Sequence, residues 1–219
     1  MGVEHEKAFE EEICVALHAD GWLYTPEFER AGYDKTRALF VPDVLAWLEE
    51  TQPDTLAKVI KPTMSEAEKV KATDQLLDRL VTVLNKPVDQ GGGTLNVLRK
   101  GFDKTPAKFS MCEFKPATTQ NPTAMARYDA VRVRVMRQVY YSTKNTNSID
   151  LVCFINGIPV ATLELKTENT QSIEDAKKQY RDNRLPAGEP LLGFANRCLV
   201  HFAVSNDEVA MTTRLNGKD

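Results

Sequence analysis

The sequence predicts an α/β domain, and three observations carry that prediction. Two runs rich in β-branched residues, IDLVCFI and IPVATLEL, meet at Asn156-Gly157, a dipeptide suited to a hairpin. Segments with helical periodicity flank them, over residues 4–20 and 172–184. Two further strand patterns follow the second helix, CLVHFAVS and residues 209–213. The expected order is helix, helical region, three strands, helix, two strands, with the whole chain, residues 1–219, forming a single domain.

Each element has a local reason. Over residues 4–20, Phe9, Ile13, Ala16 and Leu17 form an apolar stripe, and Gly21 supplies a stop. Trp22–Phe28 reads as extended or irregular. Pro42 opens a short helix carrying Val44, Leu45, Trp47 and Leu48. Ser65 and Glu68 form a capping box for a longer helix with Leu76, Leu77, Leu80 and Leu84 on its apolar face. Residues from about 33 to 90 thus constitute a helical insertion. Gly91-Gly92-Gly93 reads as a loop: no lysine follows at the spacing of a phosphate-binding loop and no strand precedes it. Asn96–Lys100 reads as a short strand and residues 121–128 as a helix. Val131–Val139 alternates apolar and basic residues until Met136 breaks the phase, where a bulge or bend is expected. Arg132, Arg134 and Arg137 would flank DNA or, more simply, blunt an exposed sheet face. Ser172 caps the last helix, with Asp175 three residues on. The chain ends in RLNGKD without a closing element, as an N-terminal fragment of a longer chain would.

Composition narrows the function. No apolar run approaches the ~20 residues of a membrane span, and the acidic start MGVEHEKAFEEE is unlike a signal peptide, so a cytoplasmic protein without membrane contact is expected. Four dispersed cysteines, with no Cys-x-x-Cys pair, read as reduced core thiols and not as a zinc site. The 28 Lys and Arg against 31 Asp and Glu give a net charge of −3, which argues against tight autonomous DNA binding.

Asp150, Glu164 and Lys166 stand out because charges on buried strands are costly unless paired or bound to a metal. Two carboxylates and a backbone carbonyl make a hard-oxygen site for Mg²⁺, and a neighbouring lysine can orient a water nucleophile. Glu164 and Lys166, two apart, share one face of a strand. Whether Asp150 joins them depends on register. A two-residue turn pairing Ile155 with Ile158 sets Asp150 opposite Leu163, on the wrong face. A three-residue loop ending at Gly157, or an equivalent bulge, sets it opposite Thr162 and beside Glu164. The three-residue loop, or an equivalent bulge, is therefore expected. A surface ion pair on strand ends is the plainer reading of the triad.

The run IDLVCFINGIPVATLELKTENTQSIEDAKKQYRDNR resembles the nuclease core of the restriction, or motor, subunit of Type I restriction–modification enzymes. EKAFEEEICVALHADGW is similar to that family's first helix, and CLVHFAVSNDEVAMTT to the strand pair after its core. The resemblance implies a PD-(D/E)xK restriction-endonuclease-like fold, a mixed central sheet flanked by helices, and a Mg²⁺-dependent DNA endonuclease. It implies Asp150, Glu164 and the Leu165 carbonyl as metal ligands, Lys166 near the attacking water, and Glu10 at the metal with Glu6 as its rival. Gln179, Tyr180, Lys178, Arg181 and Arg184 would contact DNA or support the site. Many relatives carry Gln-x3-Tyr on this helix, whereas Tyr180 here follows Gln179 directly, and Ile149 replaces the proline before Asp150. The implied partners are double-stranded DNA and the methylation and specificity subunits, with ATP used only by a translocase beyond these residues. The alternatives are another PD-(D/E)xK nuclease of recombination or repair, and a non-cleaving interaction module on the same fold.

Overall fold

A computed structural model describes residues 2–24, 31–167 and 172–216. Its centre is a six-stranded mixed sheet in the order β1 (Leu23–Tyr24), β6 (Val133–Tyr140), β7 (Ser148–Ile155), β8 (Ile158–Leu165), β9 (Val200–Val204) and β10 (Val209–Thr212). Strands β6–β7–β8 form an antiparallel meander, while β8 and β9 run parallel. The parallel step needs a crossover, which α7 (Ile173–Asn183) provides. A capping box of Ser172 and Asp175 starts that helix.

Both faces of the sheet are covered. Helix α1 (Gly2–Ala19) packs Phe9, Ile13, Cys14 and Leu17 against Val135, Leu151, Cys153 and Leu165. Its end is closed as expected, with Gly21 at φ 88° and the Trp22 N–H donating to the Leu17 carbonyl at 3.1 Å. On the opposite face, Met136, Val139, Ile149, Val152 and Phe154 meet Phe40, Tyr180, Leu191 and Cys198. The four cysteines are free thiols.

The intervening region builds its own apolar cluster. Small hairpin β2 (Tyr33–Asp34) and β3 (Leu39–Phe40) leads into α2 (Val41–Thr51), α3 (Pro53–Ala57) and α4 (Glu66–Leu84). The Ser65–Glu68 capping box is present. Residues 96–100, read as a strand, belong instead to helix α5 (Thr94–Lys100). Val97 and Leu98 turn inward to this cluster, and Gly93 and Gly101, both at positive φ, bracket the helix. A short antiparallel pair follows, β4 (Phe102–Lys104) and β5 (Ala107–Phe109), which sequence patterning did not reveal. Helix α6 (Pro122–Asp129), capped by the Asn121 side chain, completes the region.

Arg134 and Arg137 of β6, with Arg132 just before it, are internal ties. Arg134 donates to buried Asp43 of α2 at 2.6 and 3.1 Å and lies over the Phe40 ring; Arg132 reaches the same carboxylate at 3.0 Å. Arg137 points to α1, with Nε donating to Glu10 at 3.1 Å and a second contact to Glu11.

Of the two expected routes, the β7–β8 hairpin takes the bulge and not the three-residue loop. Ile155 pairs with Ile158 across a two-residue turn, with Asn156 at φ 47° and Gly157 at φ 78°, the type I′ signature. The register then shifts: Phe154 faces Pro159 but Cys153 faces Ala161, so Val160 is the extra residue of a β-bulge. From Leu151 opposite Leu163, the ladder carries Asp150 across from Glu164. The bulge thus restores the parity that the odd loop was expected to supply. Proline has no ladder N–H and collects at bulges, so Pro159 within an interior strand is the sequence signal for this one.

The turn itself is buried. Asn156 accepts from the Arg132 N–H at 2.8 Å and donates to the Met111 carbonyl at 2.9 Å. The Phe40 N–H donates to the Gly157 carbonyl at 2.8 Å, and a Cβ on Gly157 would stand 2.4 Å from the Phe40 oxygen. Gly157→Ala therefore meets both a positive φ and a backbone clash. It should destabilise the chain by roughly 2–4 kcal/mol, read as a lowered urea midpoint at constant slope.

Candidate active site

Strands β7 and β8 converge at their far ends on Asp150 and Glu164. Asp150 Oδ2 accepts from the Leu165 N–H at 2.8 Å, which fixes the aspartate against the backbone of β8. Glu164 is fully buried, its Oε1 accepting from Arg184 Nε at 2.6 Å. Its Oε2 is buried with no partner. Burial pushes the Glu164 pKa up to about 8, and the Asp150 charge adds to this; Arg184 and Lys166 pull the other way. Two close carboxylates, one with an orphaned buried oxygen, make a site short of positive charge. That donor set fits a hard divalent cation such as Mg²⁺. As they stand, no three His, Cys, Asp or Glu side chains among the described residues form a ready metal cage.

Lys166 lies just past the end of β8 and is almost completely buried, with Nζ 3.4 Å from Glu6 Oε1. Glu6 and Glu10, one helical turn apart on α1, therefore divide the site between them. Glu6 faces the lysine. Glu10, only 3% exposed, faces Asp150, and its pKa is raised by burial and then by the Asp150 charge. Arg137 donates to Glu10 Oε2; burial works against its own charge, but hydrogen bonds with Tyr24 and Glu10 hold it protonated.

A further residue enters that the sequence did not single out. Gln138 sits on β6 between the rungs Arg137–Leu151 and Val139–Ile149, across from Asp150. Its φ is 46°, a strained value for a non-glycine residue, typically worth on the order of 1 kcal/mol or more. Its Nε2 donates to Glu10 Oε1 at 2.7 Å and lies 3.3 Å from Asp150 Oδ1, and Ser148 Oγ donates to its Oε1 at 3.0 Å. The bend expected at Met136 falls here instead. Met136 and Val139, three apart, join the same apolar cluster, as do Ile149 and Val152 on β7. Both strands change face at the Gln138–Asp150 rung while their pairing stays in step. The only advance sign was the broken alternation in VMRQV.

Helix α7 and Arg184, which follows it, divide the implied set between interior and surface. Arg184, expected to contact DNA or support the site, is buried on Glu164. Tyr180 is also buried, which places it in the interior behind the site and away from DNA. Its hydroxyl pairs with Thr162 Oγ1 at 2.8 Å, and Thr162 Oγ1 lies 2.7 Å from His201 Nδ1. This triad sits on the strand face that carries Glu164, two residues along β8, and braces it from below. Lys178 and Arg181 are exposed and Gln179 half-buried.

The architecture defines a class: a covered mixed sheet with carboxylates facing each other across a bulged hairpin, consistent with a PD-(D/E)xK-like core. The chain matches the family described as Type I restriction enzyme R protein N terminus over residues 5–219, and it belongs to that family. No individual curated protein matches it significantly. No helix among the described residues is long and apolar enough to cross a membrane.

The buried triad makes stability depend on pH. Burial lowers the His201 pKa to about 4 from an ordinary 6.5. The unfolded chain therefore takes up a proton before the folded one does. The stabilisation is complete above pH 6.5 and is lost as pH falls through 4. Between pH 7 and 4, the wild type should lose about 3 kcal/mol more than His201→Gln, compared by urea unfolding at both pH values.

Proposed function

We propose that this domain is the Mg²⁺-dependent DNA endonuclease of the restriction-enzyme R subunit. The observation that carries the reading is the apposition of Asp150 and Glu164, with the buried, unpartnered Oε2 of Glu164 and Lys166 two residues on. Asp150, Glu164 and the Leu165 carbonyl would hold the ion, with Glu10 close by. Bound there, Mg²⁺ would polarise a phosphate oxygen and lower the pKa of a coordinated water.

The chain's own residues have separate tasks. The Leu165 N–H holds one Asp150 oxygen and so aims the other. Arg184 favours the ionised form of Glu164 against the cost of burial. Lys166, steadied by Glu6, orients the attacking water and offsets negative charge that builds on the phosphate. Lys178 and Arg181, exposed on α7, are left to meet DNA phosphates. With a net charge of −3, the domain depends on DNA delivered by the rest of the enzyme. That enzyme comprises an ATP-driven translocase in the remainder of the R subunit, with the methylation and specificity subunits as partners.

Asp150→Asn and Lys166→Ala in the full R subunit, reconstituted with its partner subunits, should each lower Mg²⁺-dependent cleavage by about 10³-fold or more. ATP hydrolysis should be retained. Cleavage at wild-type rates in either variant would refute the assignment, and a retained ATPase without any cleavage in the wild type would favour the non-cleaving module.

The ion should also appear as a stability effect. Saturating Mg²⁺ or Ca²⁺ should stabilise the wild-type chain by about 1–3 kcal/mol, seen as a raised Tm that EDTA reverses. Asp150→Asn should abolish that rise.

A further inference from the structure

We infer that Gln138 is a positioning residue for the metal site, holding Glu10 of α1 and Asp150 of β7 together so that both carboxylates serve one cation. This rests on the nuclease reading and extends it to a residue on neither β8 nor α7.

Glu10 and Asp150 come from different elements, and left alone they repel. The Asp150 charge contributes to the raised pKa of Glu10. One atom, Gln138 Nε2, carries two hydrogens and stands 2.7 Å from Glu10 Oε1 and 3.3 Å from Asp150 Oδ1. Ser148 donates to the other end of the carboxamide, which fixes the nitrogen toward the acids. Gln138 adopts φ 46° in the interior of a strand, where glutamine gains nothing from that conformation itself. The irregularity lets the strand change face, and it also brings the side chain to the two acids. Asp150 is also the residue it faces across the ladder, so the strand irregularity and the amide bridge fall on the same rung. A partner of this kind, hydrogen-bonded to ligands and not itself a ligand, tunes affinity by holding them in place.

The test is Mn²⁺ affinity of the chain, by calorimetry, for wild type, Gln138→Leu, Glu10→Gln and the double variant. Gln138→Leu keeps an unbranched Cβ at the strained position and removes the amide. The expected result is a loss of about tenfold in affinity for Gln138→Leu. Adding Gln138→Leu to Glu10→Gln should cost little more, because the apposition it maintains is already gone. If Gln138→Leu does not fold, Ser148→Ala, which frees the carboxamide, takes its place in the cycle under the same criteria. Unchanged or higher affinity, or fully additive losses, overturns the role given to Gln138 and leaves the nuclease reading intact. A wild type that binds no Mn²⁺, or an Asp150→Asn variant that binds it undiminished, overturns both.

Discussion

Asp150 and Glu164 face each other on one rung of a sheet that is covered on both sides, and most of the surrounding structure answers to that. Cross-strand neighbours stand about 5 Å apart. Two like charges at that range repel by about 3 kcal/mol at an effective dielectric near 20. Nearby groups temper that repulsion without removing it. Arg184 takes one oxygen of Glu164, the Leu165 N–H one oxygen of Asp150, and the Gln138 amide lies between Asp150 and Glu10. Burial nevertheless keeps the Glu164 pKa raised, at about 8, and leaves one oxygen unsatisfied. A fold that needed only stability would place apolar residues there. The remaining deficit of positive charge is the feature that singles the place out as the candidate site.

The acids of α1 are shared out in a way their sequence did not decide. Among Glu6, Glu10, Glu11 and Glu12, helical spacing set Glu10 at the edge of the buried stripe and left Glu6 as its rival. Tertiary structure uses both, because the helix crosses the end of the sheet with one turn over Lys166 and the next over Asp150. Arg137, which from β6 alone resembled a surface cation, locks the second of these turns in place.

Much of the fold was legible because period and capping are local. The β7–β8 hairpin, the capped helices α4 and α7, and the apolar stripe of α1 all follow from neighbours within a few residues. Asp150, Glu164 and Lys166 were legible as a set because charge on an apolar strand is conspicuous. What escaped was non-local or cumulative. Helix α5 is too short for its periodicity to outweigh a strand reading. Parity called for an odd loop or a bulge, but the bulge's position at Val160 was announced only by Pro159. The burial of Tyr180 and Arg184 depends on how α7 lies across the sheet, which no spacing within the helix encodes. Gln138 is a lone amide whose importance arises from strands adjacent in space and a helix more than a hundred positions away.

The hairpin tip at Asn156-Gly157 lies beneath the junction of β3 and α2, with its polar groups taken up by Arg132, Met111 and Phe40. In most hairpins the tip is the freest point of the chain, the place where extra residues enter and proteases cut. Here it is a fastening. The two strands that carry the acidic pair are anchored at one end to the helical region between α1 and the sheet. A change in loop length at that point would displace both strands and the helical region together.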